Sequence, residues 1–216
     1  MKFNAQIARQ VSDYLLQIEA VKLNPENPFT WASGLRSPIY CDNRVTLSYP
    51  EIRTYIKEQF CGILEKVFNE AEVVAGVATG GIAQGALVAQ EFNLPFVYIR
   101  SSQKSHGLEN KIEGHVNKGQ KVVIIEDLVS TGGSSLRAAT ALRDAGCEVV
   151  GMAAIFSYNL DVALKNFDEA KVQLRTLADY ESLIRHAIET DYITKDQMQS
   201  LLEWRKDPKA WGAKFE

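Results

Sequence analysis

The chain has 216 residues, of which 46% are hydrophobic and 24% charged, so it suits one globular domain with a full core. A formal net charge of -3 shows no basic excess, which argues against a general nucleic-acid binder. The N-terminus lacks the unbroken apolar run of a signal peptide, and no stretch nears the ~20 apolar residues of a membrane span, so the expectation is a cytoplasmic protein without a membrane partner.

Ile7, Val11, Leu15 and Ile18 recur at helical spacing and predict an opening amphipathic helix. Asn24-Pro25-Glu26-Asn27-Pro28 is a breaker. FTWASGLRSPIYCDNR, residues 29–44, mixes aromatics with Ser-Gly and Ser-Pro and reads as short strands and turns. Pro50 opens a second helix, with Ile52, Ile56, Phe60, Ile63 and Val67 on one face. From residue 73 the texture changes. VVAGVA, PFVYIR, KVVIIE and VVGMAAIF are short runs rich in β-branched residues. Helix-like segments, GIAQGALVAQEF and SSLRAATALRDAG, separate the first pair and the last pair. That alternation predicts a parallel sheet covered on both faces. KVQLRTL supplies a further strand, and the C-terminal part reads as helical, with Thr194 and Gln197 in a capping-box pattern. The fold class is therefore α/β, a central parallel sheet flanked by helices in one domain over residues 1–216. The core spans about 70–180, and a small cap comes from about 1–48 plus the C-terminal helices.

Cys41, Cys61 and Cys147 are too few and too far apart for a disulfide framework or a zinc site, and plain packing is expected. His115 and His186 are read as structural.

The segment SSQKSHGLENKIEGHVNKGQ, residues 101–120, is too long and polar for an ordinary connection. Gly107 and Gly114 could serve as its hinges. Residues 101 to 118 are expected to order only with ligand, as a lid. Arg100, Lys104 and His106 bring donors without acceptor competition when charged, which suits an anion. A solvated surface lysine and a loop histidine are the plainer alternatives.

The strongest signal is KVVIIEDLVSTGGSSLRAA, residues 121–139. A buried strand runs into Glu126 and Asp127 at its C-terminal end, where open α/β sheets bind ligands. A loop, Leu128, Val129, Ser130, Thr131, Gly132 and Gly133, then opens a helix at Ser134. Hydroxyls, unhindered N–H groups and the positive end of the helix make a nest for a phosphate dianion. The two carboxylates suit hydroxyls or a hydrated Mg²⁺. The spacing of acids and nest is about that of a ribose 5-phosphate. A strand–helix turn with solvent-facing acids is the bland reading of either half, and the combination argues against it. Neither a Walker A loop nor a dinucleotide fingerprint is present. Thr79 and Gly80 open another helix after VVAGVA and offer N–H groups of the same kind, though a tight turn explains those glycines almost as well.

At these residues the chain resembles the type I phosphoribosyltransferases, whose signature is an apolar strand, two acids and a Thr-Gly-Gly-type loop for the 5-phosphate of phosphoribosyl pyrophosphate (PRPP). FTWASGLRSPIYCDNR and YIRSSQKSHG narrow the resemblance to the orotate phosphoribosyltransferase family, over most of residues 22 to 158. The resemblance implies a type I phosphoribosyltransferase fold with an N-terminal hood, PRPP and orotate as substrates, and Mg²⁺ as cofactor. It implies PRPP contacts from Arg100, Lys104, His106 and residues 126–134, with pyrophosphate at Thr79 and Gly80. Catalytic roles fall to Arg100, Lys104 and His106, and the base lies near Ser130 with Tyr40 or Phe29 as ring contacts. No protein ligand holds the metal directly, and Glu126 and Asp127 reach the ribose diol or the metal's water. It also implies a homodimer in which the mobile loop enters the neighbour's site. Lysines that other members carry are replaced by Ala32, Gly80 and Ser101, and an arginine is absent from FSYNL, so this branch uses fewer cationic contacts. A purine-specific relative and a nucleic-acid-binding regulator on the same fold are the alternatives.

Overall fold

The computed structural model describes residues 4–31, 34–100 and 111–215. Lys104, His106, Gly107, Ala32 and Ser101 lie outside the described residues.

Helix α1 (Ala5–Gln17) starts at Asn4, whose side-chain oxygen accepts the N–H groups of Gln6 and Ile7. Its apolar stripe, Val11 and Leu15, is fully buried. Expected in the cap, α1 instead packs against the main body of the fold, because that stripe needs a broad apolar partner. Four short strands follow: β1 (Val21–Leu23), β2 (Phe29–Thr30), β3 (Arg36–Ser37) and β4 (Ile39–Cys41). They pair antiparallel as β1 with β4 and β2 with β3, which forms the hood. Helix α2 (Pro50–Val67) begins on its proline and buries Ile52, Ile56, Phe60 and Ile63.

The alternating region builds a six-stranded sheet. Its parallel strands are β5 (Val73–Val77), β6 (Phe96–Ile99), β8 (Lys121–Val129), β9 (Glu148–Ser157) and β10 (Leu174–Asp179). Between β6 and β8 lies a two-residue strand, β7 (Ile112–Glu113), antiparallel to β6. The strand order is β10-β9-β8-β5-β6-β7. The segment expected to be a lid up to residue 118 thus contributes an edge strand, and Gly114 is the turn that follows it, at φ 107°.

Successive strand residues feed opposite cores, as a two-residue period demands. Val74, Val123, Ile125, Ala153 and Ile155 face one side. Val73, Ala75, Val122, Ile124, Met152 and Ala154 face the other. Helix α3 (Gly81–Glu91) places Val88 and Ala89 on the first side, together with α1 and α2. Helix α4 (Gly133–Asp144) and helix α5 (Asp161–Glu169) cover the second with Ala138, Leu142, Ala163 and Phe167. Helices α6 (Tyr180–Glu189), α7 (Lys195–Lys206) and α8 (Pro208–Gly212) complete the chain. The Thr194 and Gln197 capping box is present at the start of α7. α1 lies on α6 and β10, while α8 lies on β3 of the hood.

The chain leaves β5 towards β6 and leaves β8 towards β9, so the direction of winding reverses between β5 and β8. In open α/β sheets ligands bind outside the carboxyl ends of the strands at such a switch point.

Candidate active site between β5 and β8

A cleft of about 400 Å³ opens there. Residues 77–80 from the end of β5 form one wall, and residues 126–128 of β8 form the floor. Ser130, Thr131, Gly132, Gly133 and Ser134 form the far end. Thr79, Gly80, Glu126, Asp127, Leu128 and the phosphate loop, singled out separately in the sequence, are therefore brought together.

The strand is longer than expected. β8 runs on to Val129, so Glu126 and Asp127 lie within it, and Leu128 and Val129 are strand rather than loop. Val129 is fully buried in the core under α4 and is not among the residues that line the cleft. Its carbonyl accepts the N–H of Tyr158 at 3.1 Å.

Strand alternation separates the two acids. Glu126 follows Ile124 to the α4 side and is only 4% exposed. The Ser135 hydroxyl donates to its Oε2 at 2.7 Å, and the Asp127 N–H donates to its Oε1 at 3.0 Å. Burial pushes this carboxyl well above the usual carboxylate range, and the neighbouring Asp127 carboxylate pushes it the same way. Asp127 stands on the cleft side, directly over Gly80. A Cβ at Gly80 would lie 2.1 Å from Asp127 Cγ, so the absence of a side chain there is what makes room for the carboxylate.

The loop at 130–134 is held from behind. Gly132 sits at φ 81°, a left-handed conformation that favours glycine, and a Cβ there would meet the Phe167 ring at 2.8 Å. Asn166 Nδ2 donates to the Thr131 carbonyl at 3.0 Å, and the Ser130 hydroxyl accepts the Thr131 N–H at 2.7 Å. Helix α5 thus buttresses the loop, while α4 aims its N-terminal dipole at the cleft.

The hood supplies a wall that the sequence reading did not foresee. Cys41, Asp42 and Arg44 line the cleft. Arg44 Nε and Nη2 pair with the two Asp42 oxygens at 2.7 and 2.8 Å, and this hydrogen-bonded pairing holds the Asp42 carboxyl below its ordinary value. Asn43, 1% exposed, donates from Nδ2 to the Asp127 carbonyl at 2.6 Å and ties hood to floor. The Cys41 thiol, read as plain packing, borders the cleft, and burial pushes its pKa well above normal, so it is not a reactive thiolate. Tyr40, expected against a ligand ring, does not line the cleft. It alternates with Cys41 on β4, is 43% exposed and packs on Phe29 with ring centroids 5.8 Å apart. Arg100 also lies off the main cleft, beside Glu113 at 3.4 Å. Polar residues in Asp42-Asn43-Arg44, placed straight after a strand, were the available signal for the missed wall.

Residues 48–185 match the phosphoribosyl transferase domain family. The chain is 53% identical over 206 residues to the orotate phosphoribosyltransferase of Porphyromonas gingivalis, covering 95% of this chain and 98% of that protein. It is 56% identical over 202 residues to the protein of the same name from Phocaeicola vulgatus, covering 94% and 95%. The fold superposes on Leishmania donovani UMP synthase with a TM-score of 0.77 at 26% identity, over 92% of this chain and 42% of that one. It also matches the orotate phosphoribosyltransferase of Aeropyrum pernix, with a TM-score of 0.74 at 24% identity over 85% and 99%. A switch-point cleft ending in a glycine-rich loop, in a chain this similar along nearly its whole length, places the protein in the orotate phosphoribosyltransferase family.

Proposed function

We infer that the chain transfers the 5-phosphoribosyl group from PRPP to orotate, giving orotidine 5-monophosphate and pyrophosphate in pyrimidine nucleotide synthesis. The observation that carries this is one cleft joining Asp127 to the phosphate loop, in a chain 53% identical to an orotate phosphoribosyltransferase. At the anomeric carbon the bond to pyrophosphate oxygen breaks and the bond to the base nitrogen forms, through an oxocarbenium-like state, and the proton of that nitrogen is released to solvent. Positioning and charge stabilisation supply most of the acceleration.

In this reading residues 130–134 hold the 5-phosphate. Asp127 accepts from the ribose diol, and Glu126 fixes Asp127 from behind. Thr79 and Gly80 face the pyrophosphate. Arg100, Lys104 and His106 stabilise the leaving anion, and the base lies near Ser130 under the hood. Mg²⁺ belongs to the reading as the counterion of the diphosphate. The ion would be carried by the substrate phosphates and reached by Asp127 through water. The proposal includes a homodimer in which Lys104 and His106 serve the neighbouring site, and a cytoplasmic location. No described helix is long and apolar enough to cross a membrane.

The test is base specificity. With PRPP and Mg²⁺, orotate should be consumed faster than hypoxanthine or guanine. Faster turnover of either purine would overturn the assignment.

Gly80 offers a second test. Gly80→Ala forces the Asp127 carboxylate aside, and a displacement on the scale of 1 Å is expected to cost about 10²-fold in kcat/KM. The thermal midpoint should barely move, because the displaced group faces the cleft. Wild-type kinetics in this variant would show that Asp127 does not need that seat.

A further inference from the structure

Beside the cleft lies a recess of about 20 Å³, and the two share Val77, Ala78 and Ser134 as walls. Arg100, Lys111 and Arg137 also line it, and among the described residues no carboxylate does. The three cations come from separate elements. Arg100 follows β6, Lys111 precedes β7, and Arg137 is one turn into α4. Arg137 folds back towards the phosphate loop, with Nη1 3.6 Å from where a Cβ on Gly133 would be. The Arg100 guanidinium is 3.4 Å from Glu113 Oε1. Neither Lys111 nor Arg137 makes an ion pair among the described residues. Gathering like charges around one recess is unfavourable until an anion sits among them. The recess has room for about one oxygen-sized group, so it receives the edge of a larger anion at its mouth.

We propose that Lys111 and Arg137 are further binding residues for the diphosphate end of PRPP and for the pyrophosphate product, acting together with Arg100. The proposal rests on the PRPP reading above. PRPP has two anionic ends, and the N–H groups and hydroxyls of the loop at 130–134 accommodate only one. The recess adjoins Ala78, the residue before the Thr79–Gly80 turn, and opens on the β5–β6 side of the loop. That is the side left for the second anion. Guanidinium and ammonium groups bind phosphoryl oxygens through charge-assisted hydrogen bonds, and two such groups on different elements fix the orientation of a diphosphate.

Calorimetry on the full chain tests this with two probes, magnesium pyrophosphate and ribose 5-phosphate, titrated separately. Arg137→Gln and Lys111→Gln should each weaken pyrophosphate by about tenfold and change ribose 5-phosphate by less than about twofold. Arg137→Lys, which keeps the charge, should recover part of the loss and guards against a folding defect in the glutamine variant. Equal weakening of both probes, or of ribose 5-phosphate alone, would assign these cations to the phosphate loop and overturn the proposal. Unchanged pyrophosphate binding in both glutamine variants would overturn it too. Pyrophosphate binding does not require orotate. A chain that binds pyrophosphate through these residues but fails to convert orotate would overturn the base assignment alone.

Discussion

Asp127→Asn is expected to lower kcat/KM for PRPP by about 10²–10³-fold, the range for deleting one preorganised polar contact to a transition state. Asp127 lines the cleft. Its carboxylate lies over Gly80, and its backbone is already fixed by Asn43 on the carbonyl and Glu126 on the N–H. The amide has the same shape, so the fold should survive with its thermal midpoint unchanged. What is lost is an acceptor for the ribose hydroxyls and negative charge near a developing oxocarbenium. Glu126→Gln makes the comparison sharper. Burial and the Asp127 charge push the Glu126 carboxyl upward, towards its neutral form, which glutamine imitates. Glu126→Gln should therefore keep much more activity than Asp127→Asn. Steady-state kinetics and thermal melts on the two variants check both statements. Near-normal kinetics for Asp127→Asn would remove the acid from the site.

Mixing two inactive variants should restore activity if the sites are shared. Lys104→Ala and Asp127→Ala are each expected to be nearly inactive as pure dimers. In a mixed dimer built on a two-fold axis, one site receives both lesions and the other receives neither. With random exchange half the dimers are mixed, and each has one intact site, so roughly a quarter of wild-type activity should return. Activity measured after subunit exchange has been verified, with differently tagged chains, gives the answer. A mixture that stays inactive after exchange would mean that Lys104 serves its own chain.

The sheet was legible because its chemistry is local. Strands buried on both faces read as continuous apolar runs, and β5, β6, β8 and β9 each contain one, while β10 (LRTLAD) is interrupted by Arg175 and Thr176. β7 was not legible. Ile112 and Glu113 sit in a polar stretch and become a strand only by pairing with Tyr98 and Ile99. Helix α5 was missed for a similar reason, since it is nine residues long and buries only Ala163 and Phe167. Yet Phe167 and Asn166 support the phosphate loop.

The site divides in the same way. The loop at 130–134 has its hydroxyls and glycines in adjacent residues, so its place at the end of the cleft could be read from spacing. The wall of Cys41, Asp42 and Arg44 arrives from more than eighty positions away, through Asn43 and Asp127, and no periodicity encodes that contact. The burial of Glu126 was encoded. It lies two residues after Ile124, and the strand period carries both to the side covered by α4. The same rule separates Tyr40 from Cys41 and takes the tyrosine out of the cleft.

The products that the purified chain makes from orotate and PRPP are the most direct test of its activity. Incubated with both and Mg²⁺, it should form orotidine 5-monophosphate and pyrophosphate in equal amounts, identified by mass, and Asp127→Asn should form almost none in the same time. Absence of orotidine 5-monophosphate from the wild-type reaction, with the protein folded, would contradict it.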